Sequence, residues 1–300
     1  MSVPSKIKFV DKSDKASSAE SVQTHTFHMG QILLEMGKIT SEDTEKILQL
    51  QKLDGILFGE AAQQLGLISD IDIQQVLACQ FEYPYLLPEQ GNYSPELVVA
   101  YQPFCAQVES LRAIRSQLIM RWFSASHKLM TVVGISPGGG SSLFTANLSV
   151  LFSQLGKRTL LVDANLRHPN QHNIFNLQSK QGLSDVLAGR AELSDVTSRL
   201  EPFVDLTVLT AGTRPPNPSE LLSRSAFIDA NKDFTNQYDI VLYDTPEFTT
   251  STDALLIAAH TGGVLLVIHR NNTRFADIET ISDQITSNGL KIIGTVLIDC

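Results

Sequence analysis

LMTVVGI (129–135) runs directly into SPGGGSSLFTANLSVLFSQLG (136–156), and this junction decides the fold. An apolar run gives way to consecutive glycines and then to an apolar helical pattern that starts at Ser141 or Ser142. Strand, glycine turn and helix together make the arrangement in which backbone N–H groups and a helix N-terminus converge on an anion. The same glycines also suit a plain tight turn, so their spacing alone leaves both readings open. RTLLVDA (158–164), DLTVLTA (205–211), YDIVLYD (238–244), GGVLLVIH (262–269) and KIIGTVLI (291–298) are further short apolar runs, most of them separated by helical patterns. Strands that are apolar throughout, alternating with helices, predict an α/β, doubly wound and mostly parallel sheet covered on both faces.

Two strand ends add chemistry to the loop. LLVDANLRHP (160–169) closes a strand on Asp163, and YDIVLYDTPEF (238–248) closes another on Asp244. Carboxylates at the C-terminal ends of neighbouring parallel strands lie where such sheets bind ligands, and they suit a Mg2+ held beside phosphate oxygens. A lone strand-end Asp is usually a cap or loop residue. Two of them downstream of a glycine loop point to a site.

These residues resemble the bacterial P-loop tyrosine kinases of capsule and exopolysaccharide synthesis, relatives of the cell-division and chromosome-partition ATPases. The family's phosphate loop, Ser-Pro-Gly-x-Gly-Lys-Ser/Thr, is matched by 136–142 except that Ser141 stands at the lysine. Its Val-Asp-x-Asp-x-Arg motif appears as Val162 to Arg167 with Asn165 for the second Asp, and its Asp-Thr-Pro as Asp244-Thr245-Pro246. GTRPPNPSELL (212–222) and ESLRAIR (109–115) fit two further family segments.

The resemblance implies a site for ATP or ADP with Mg2+. Gly138, Gly139, Gly140, Ser141, Ser142 and Asn165 would bind the nucleotide, and Ser142, Asp163 and Asp244 the metal. Asp163, Asp244 and Arg167 would be catalytic. Glu109, Arg112 and Arg115 would join neighbouring copies into a homo-oligomer. The family's C-terminal tyrosine cluster has no counterpart before Cys300. With that cluster, the lysine and one aspartate missing, reduced phosphotransfer is expected. A non-catalytic scaffold that docks on the same machinery is the alternative.

The flanking sequence sets the rest of the organisation. Residues 1–26 are polar and read as a flexible tail. HMGQILLEMGKITSEDTEKILQLQ (28–51) and LFGEAAQQLGLISDIDIQQVLACQ (57–80) form a repeat offset by 29 residues, each a short helix, a glycine stop, a Thr or Ser cap and a second helix. A small helical domain over 27–87 follows, then a proline-rich linker over 88–105 with a short helix at 95–101, and the P-loop domain over 106–300. The helical domain resembles the N-terminal domain of type II secretion and pilus ATPases. Its binding versions take cyclic di-GMP through an Arg where this chain has His28 and Leu57, so that ligand is disfavoured and protein docking favoured.

Composition excludes several classes. With 23 basic against 32 acidic residues the net charge is -9, which argues against a nucleic-acid surface. Three cysteines without metal or redox spacing argue against a disulfide framework. No apolar run is long enough to span a bilayer. A cytoplasmic protein is expected, recruited to the inner membrane through a membrane chain-length-determinant partner, the polysaccharide co-polymerase.

Overall fold

Strand side chains alternate between two covering layers along the central sheet. Met130, Val132, Leu161, Leu242, Leu265 and Val267 pack into one apolar cluster. Their sequence neighbours Leu160, Val162, Val241 and Tyr243, and Val133, Val264 and Leu266, pack into two clusters on the opposite face. This is how a parallel sheet buries runs with no polar face. The computed structural model describes residues 29–80, 85–86, 91–124, 126–138, 140–201 and 203–299; the expected tail and Gly139 lie outside them. The chain divides into two compact units, Met1–Phe81 and Glu82–Cys300.

The first unit holds α1 (Met29–Glu35), α2 (Ser41–Asp54), α3 (Phe58–Gln64) and α4 (Asp70–Gln80). The repeat is legible in its packing. Gly30 sits where an added Cβ would lie 3.0 Å from the Phe58 ring, and Gly59 where one would lie 3.2 Å from Met29 Sδ. Met29 and Phe58 occupy the same place in the two repeats, so each repeat's opening side chain covers the other's glycine. Thr40 and Ser69 close reciprocal capping boxes with Asp43 and Asp72. Leu33, Ile47, Ala61 and Val76 form the centre of the core.

In the second unit, α5 (Val98–Tyr101) and α6 (Ala106–Arg121) precede β1 (Leu129–Gly134), α7 (Ser141–Ser153) and β2 (Thr159–Asp163). Then come α8 (Gln171–Ile174), α9 (Leu183–Leu187), α10 (Leu193–Val196), β3 (Thr197–Arg199), β4 (Leu206–Leu209), α11 (Pro218–Leu222) and α12 (Ser225–Gln237). The chain finishes through β5 (Ile240–Asp244), α13 (Asp253–Thr261), β6 (Gly263–His269), α14 (Phe275–Ser287) and β7 (Lys291–Ile298). Strand order is β3-β4-β2-β5-β1-β6-β7, parallel except where β3 meets β4 antiparallel. All six apolar runs are strands. β3 was not expected, because Thr197-Ser198-Arg199 carries no apolar signal and exists through its pairing with Thr207 to Leu209.

Residues 91–105, expected as linker, are built into this unit. Leu97, Val99 and Ala100 are fully buried. The Val99 N–H donates to Asn147 Oδ1 at 3.0 Å, the Ser94 N–H to the Ile174 carbonyl at 2.8 Å, and Tyr93 meets Phe175 edge-on at 5.9 Å. The prolines mark turns there, and the apolar residues between them pack against α7 and the sheet. Among the described residues no helix is long and apolar enough to cross a membrane.

Candidate functional site at the phosphate loop

The loop after β1 is shaped by two glycines with left-handed backbone, Gly138 (φ 72°) and Gly140 (φ 67°). Nothing lies within 4 Å of a Cβ added at Gly138, so glycine is required there by conformation rather than by space. Gly140 is the N-cap of α7, which starts at Ser141. Ser141, at the lysine position, is buried under β1: a Cβ on Gly134 would come within 2.8 Å of its Oγ. Most of α7 is buried, and the hydroxyls of Thr145, Ser149 and Ser153 bond within the helix, as when Thr145 Oγ1 donates to the Ser141 carbonyl at 2.7 Å. The helix N-terminus is therefore fixed and directed at the loop.

β2 and β5 are neighbours, and their register sets Asp163 directly opposite Asp244. Both are fully buried. The carboxylate of Asp163 accepts backbone N–H bonds from Asn165 (3.2 Å), Asn170 (3.1 Å) and Gln171 (3.0 Å). Asp244 Oδ2 accepts from Gln171 Nε2 at 2.8 Å. Burial and the nearby Asp244 push the Asp163 carboxyl well above the usual carboxylate range, against the pull of its three N–H donors. Burial likewise raises Asp244 to about 6; the Gln171 amide and the neighbouring Ser142 side chain oppose this, and Glu247 adds to it. Two buried carboxylates face each other, and neither is ion-paired among the described residues.

The loop after β5 lies under the phosphate loop. Thr245 Oγ1 donates to the Val132 carbonyl at 2.8 Å, and the Phe248 N–H to the Gly134 carbonyl at 2.9 Å. The loop after β6 reaches the other side, where Asn272 Nδ2 donates to the Pro137 carbonyl at 3.4 Å. Carboxyl ends of β1, β2, β5 and β6 thus converge, as expected for a ligand crevice in an open α/β sheet.

The structure brings Gly138, Gly140, Ser141, Ser142, Asp163 and Asp244 to this place, with Asn165 bonded to Asp163 through its N–H. Asn165 Oδ1 is occupied by the His168 N–H at 3.0 Å. The guanidinium of Arg167, expected to be catalytic, holds the buried Asp253 with two bonds (2.7 and 3.2 Å) and Ser219 Oγ at 3.2 Å. That ties the loop after β2 to the starts of α11 and α13. Asp253 carries no sequence signal of its own and was missed, as was Gln171.

The expected subunit-joining residues lie on α6. Glu109 and Arg112 pair with each other on the helix surface. Arg115 turns inward, donating to the Leu151 carbonyl near the end of α7 at 3.2 Å. In the helical unit, Leu57 is 70% exposed and His28 lies outside the described residues. A polar cavity of about 440 Å³ at the opposite end of β1, lined by His127, Lys128 and His260 among others, is remote from this chemistry.

The sequence and fold are similar to those of known proteins. The family model for the cellulose biosynthesis protein BcsQ matches residues 127–276, half of the chain. CapB of Staphylococcus aureus, a candidate tyrosine-protein kinase, is 34% identical over 211 residues, covering 70% of this chain and 91% of CapB. The tyrosine-protein kinase Wzc of Salmonella typhimurium is 30% identical over 202 residues, 67% of this chain, and the chain spans only 28% of Wzc. Among solved structures, the chimerical protein CapA2B2 superposes with a TM-score of 0.65 at 34% identity, covering 75% of this chain and 97% of that one.

Proposed function

The chain belongs to the bacterial P-loop tyrosine-kinase family, and from that premise we propose that it binds a Mg-nucleotide at the phosphate loop, transfers phosphate weakly, and regulates exopolysaccharide polymerisation or export. The observation that carries this reading is the facing buried pair Asp163–Asp244 beside the N-terminus of α7. One oxygen of that pair, Asp244 Oδ1, is buried without a hydrogen-bond partner. A divalent cation fits such a donor set: Mg2+ commonly takes one or two carboxylates and completes its shell with phosphate oxygens and water. Ser142 Oγ, Asp163 and Asp244 would hold it, directly or through water. When bound, it would offset charge on the β- and γ-phosphates.

The chain's own residues have defined tasks. Backbone N–H groups at Gly138, Gly140 and the first turn of α7 receive the phosphates without help from a side chain. Ser141, packed against Gly134, carries no cation where the family has its lysine. Losing one such stabiliser from a preorganised site commonly costs about 100- to 1,000-fold in rate. In the transfer itself a tyrosine oxygen bonds to the γ-phosphorus as the bond to the nucleoside diphosphate breaks, and the phenolic proton needs an acceptor. Asn165 supplies none, because an amide in place of the family's second Asp does not take up a proton.

A fluorescent ATP analogue with Mg2+ and radiolabel transfer to tyrosine test this together. Binding is expected with transfer near background, and Ser141→Lys with Asn165→Asp should raise turnover. Robust phosphotyrosine formation by wild type, abolished by Asp244→Ala, overturns the weak-transfer reading and makes the protein a full kinase. No nucleotide binding at all leaves the docking scaffold, the reading that the missing lysine also favours. In either case the proposed partner is a membrane chain-length regulator that brings the protein to the inner membrane.

A further inference from the structure

Gln171 opens α8 and is fully buried, and it bonds to both site carboxylates and to the first turn of α7. Its backbone N–H donates to Asp163 Oδ2 at 3.0 Å. Its Nε2 donates to Asp244 Oδ2 at 2.8 Å and to the Ser142 carbonyl, in the first turn of α7, at 3.0 Å. Two acceptors on one nitrogen fix the sense of the amide, since the flipped form would set Oε1 against a carboxylate and a carbonyl. Oε1 bonds to neither of them, and it is buried without a hydrogen-bond partner. Asp244 Oδ1 is buried and unpartnered as well. Two linked side chains thus each keep one acceptor unused, a rare arrangement for buried oxygens and one that calls for a donor or a cation.

We infer that Gln171 is a positioning residue of the metal–phosphate site. Nε2 holds Asp244 so that Oδ1 stays free, and Oε1 accepts a hydrogen bond from a water in the shell of a divalent cation. This rests on the nucleotide-binding reading and adds a neutral member to its cation site. Mg2+ sheds water reluctantly, so an amide oxygen facing its hydration shell suits it better than a third carboxylate. Outer partners of this kind typically change metal affinity about 10- to 100-fold. The alternative is that Gln171 only pins the start of α8.

Mn2+ binding to the full-length protein with ADP present, read by electron paramagnetic resonance, separates the two. Gln171→Leu keeps the bulk and removes the amide, and is expected to weaken Mn2+ about 10- to 100-fold. Gln171→Glu keeps an oxygen but replaces the Nε2 donor with a second carboxylate against Asp244, and is expected to weaken Mn2+ relative to wild type as well. A folded Gln171→Leu with unchanged Mn2+ affinity and only a lower melting temperature overturns the inference and leaves the nucleotide reading standing. A wild type that binds no Mn2+ overturns both. Should the leucine variant not fold, wild type labelled with 15N-glutamine decides: Mn2+ is expected to broaden a solvent-protected side-chain NH2 pair, and its failure to broaden any overturns the inference.

Discussion

Asp185 is a carboxylate buried beneath an exposed arginine, and its environment is the reverse of that at Asp163. Oδ2 accepts from the backbone N–H groups of Gly182 (3.1 Å) and Thr213 (2.9 Å), and Arg190 Nη2 donates to Oδ1 at 2.8 Å. Burial pulls this carboxyl up, but the bonds from Thr213, Arg190 and Gly182 outweigh it and bring it down to about 2. A depressed carboxylate stabilises the fold above its ordinary value, and that contribution is lost as pH falls toward its folded value. Asp163 has the opposite sign: its raised carboxyl makes the folded state hold a proton more firmly, so its contribution is lost as pH rises. At pH 7, Asp185→Asn should cost about 1–3 kcal/mol, since two buried N–H groups lose a charged acceptor. Denaturant melts from pH 7 downward should show the gap to wild type closing between about 4 and about 2. A gap that persists at the lowest pH would show that packing, not charge, is what Asp185 contributes.

The elements divide by how much of their cause is local. Each of the six apolar strands carries its own signal, and so does the phosphate loop, because glycines are needed where φ is positive. The Thr40 and Ser69 caps were also readable, each with an Asp three residues on. β3 was not, since its pairing is supplied by β4. Gln171 was not either, because a glutamine at the start of a four-residue helix looks exposed until the sheet brings Asp244 to it. Nor does the proline count of 91–105 disclose that Asn147, 48 residues on from Val99, receives its N–H. The cap reading has a direct check in hydrogen exchange. In Thr40→Ala the Asp43 amide loses the Oγ1 acceptor, at a cost of about 1 kcal/mol to the start of α2, and its exchange should quicken about fivefold. Unchanged exchange at Asp43 would mean that Thr40 contributes nothing there.

At the scale of the molecule, two of the arginines on α6 have different work. Arg112 stays at the surface with Glu109, where the pair can be exchanged for a carboxylate on another copy. Arg115 is half-buried on α7, and burial and the adjacent Arg112 lower the affinity of its guanidinium for its proton. With Mg-ATP, light scattering should show a mass above that of one chain for wild type and for Arg115→Ala, and a loss of that assembly for Arg112→Ala. Arg115→Ala should instead lower the melting temperature, by about 1 kcal/mol of lost hydrogen bonding. Equal mass for all three under every condition would remove the assembly role of α6. The position of β1 has a different consequence, in time rather than in space. β1 is paired on one side to β5, with Leu129 beside Val241, and on the other to β6, with Thr131 beside Val264. Both pairings span more than a hundred residues of chain, and contacts so far apart form slowly. During synthesis the phosphate loop leaves the ribosome about a hundred residues ahead of Asp244, and until Asp244 follows, it cannot face Asp163. Until then β1 has two open edges and apolar faces on both sides. A nascent chain stalled before residue 240 therefore carries an aggregation-prone strand with both edges open and lacks Asp244 for the site.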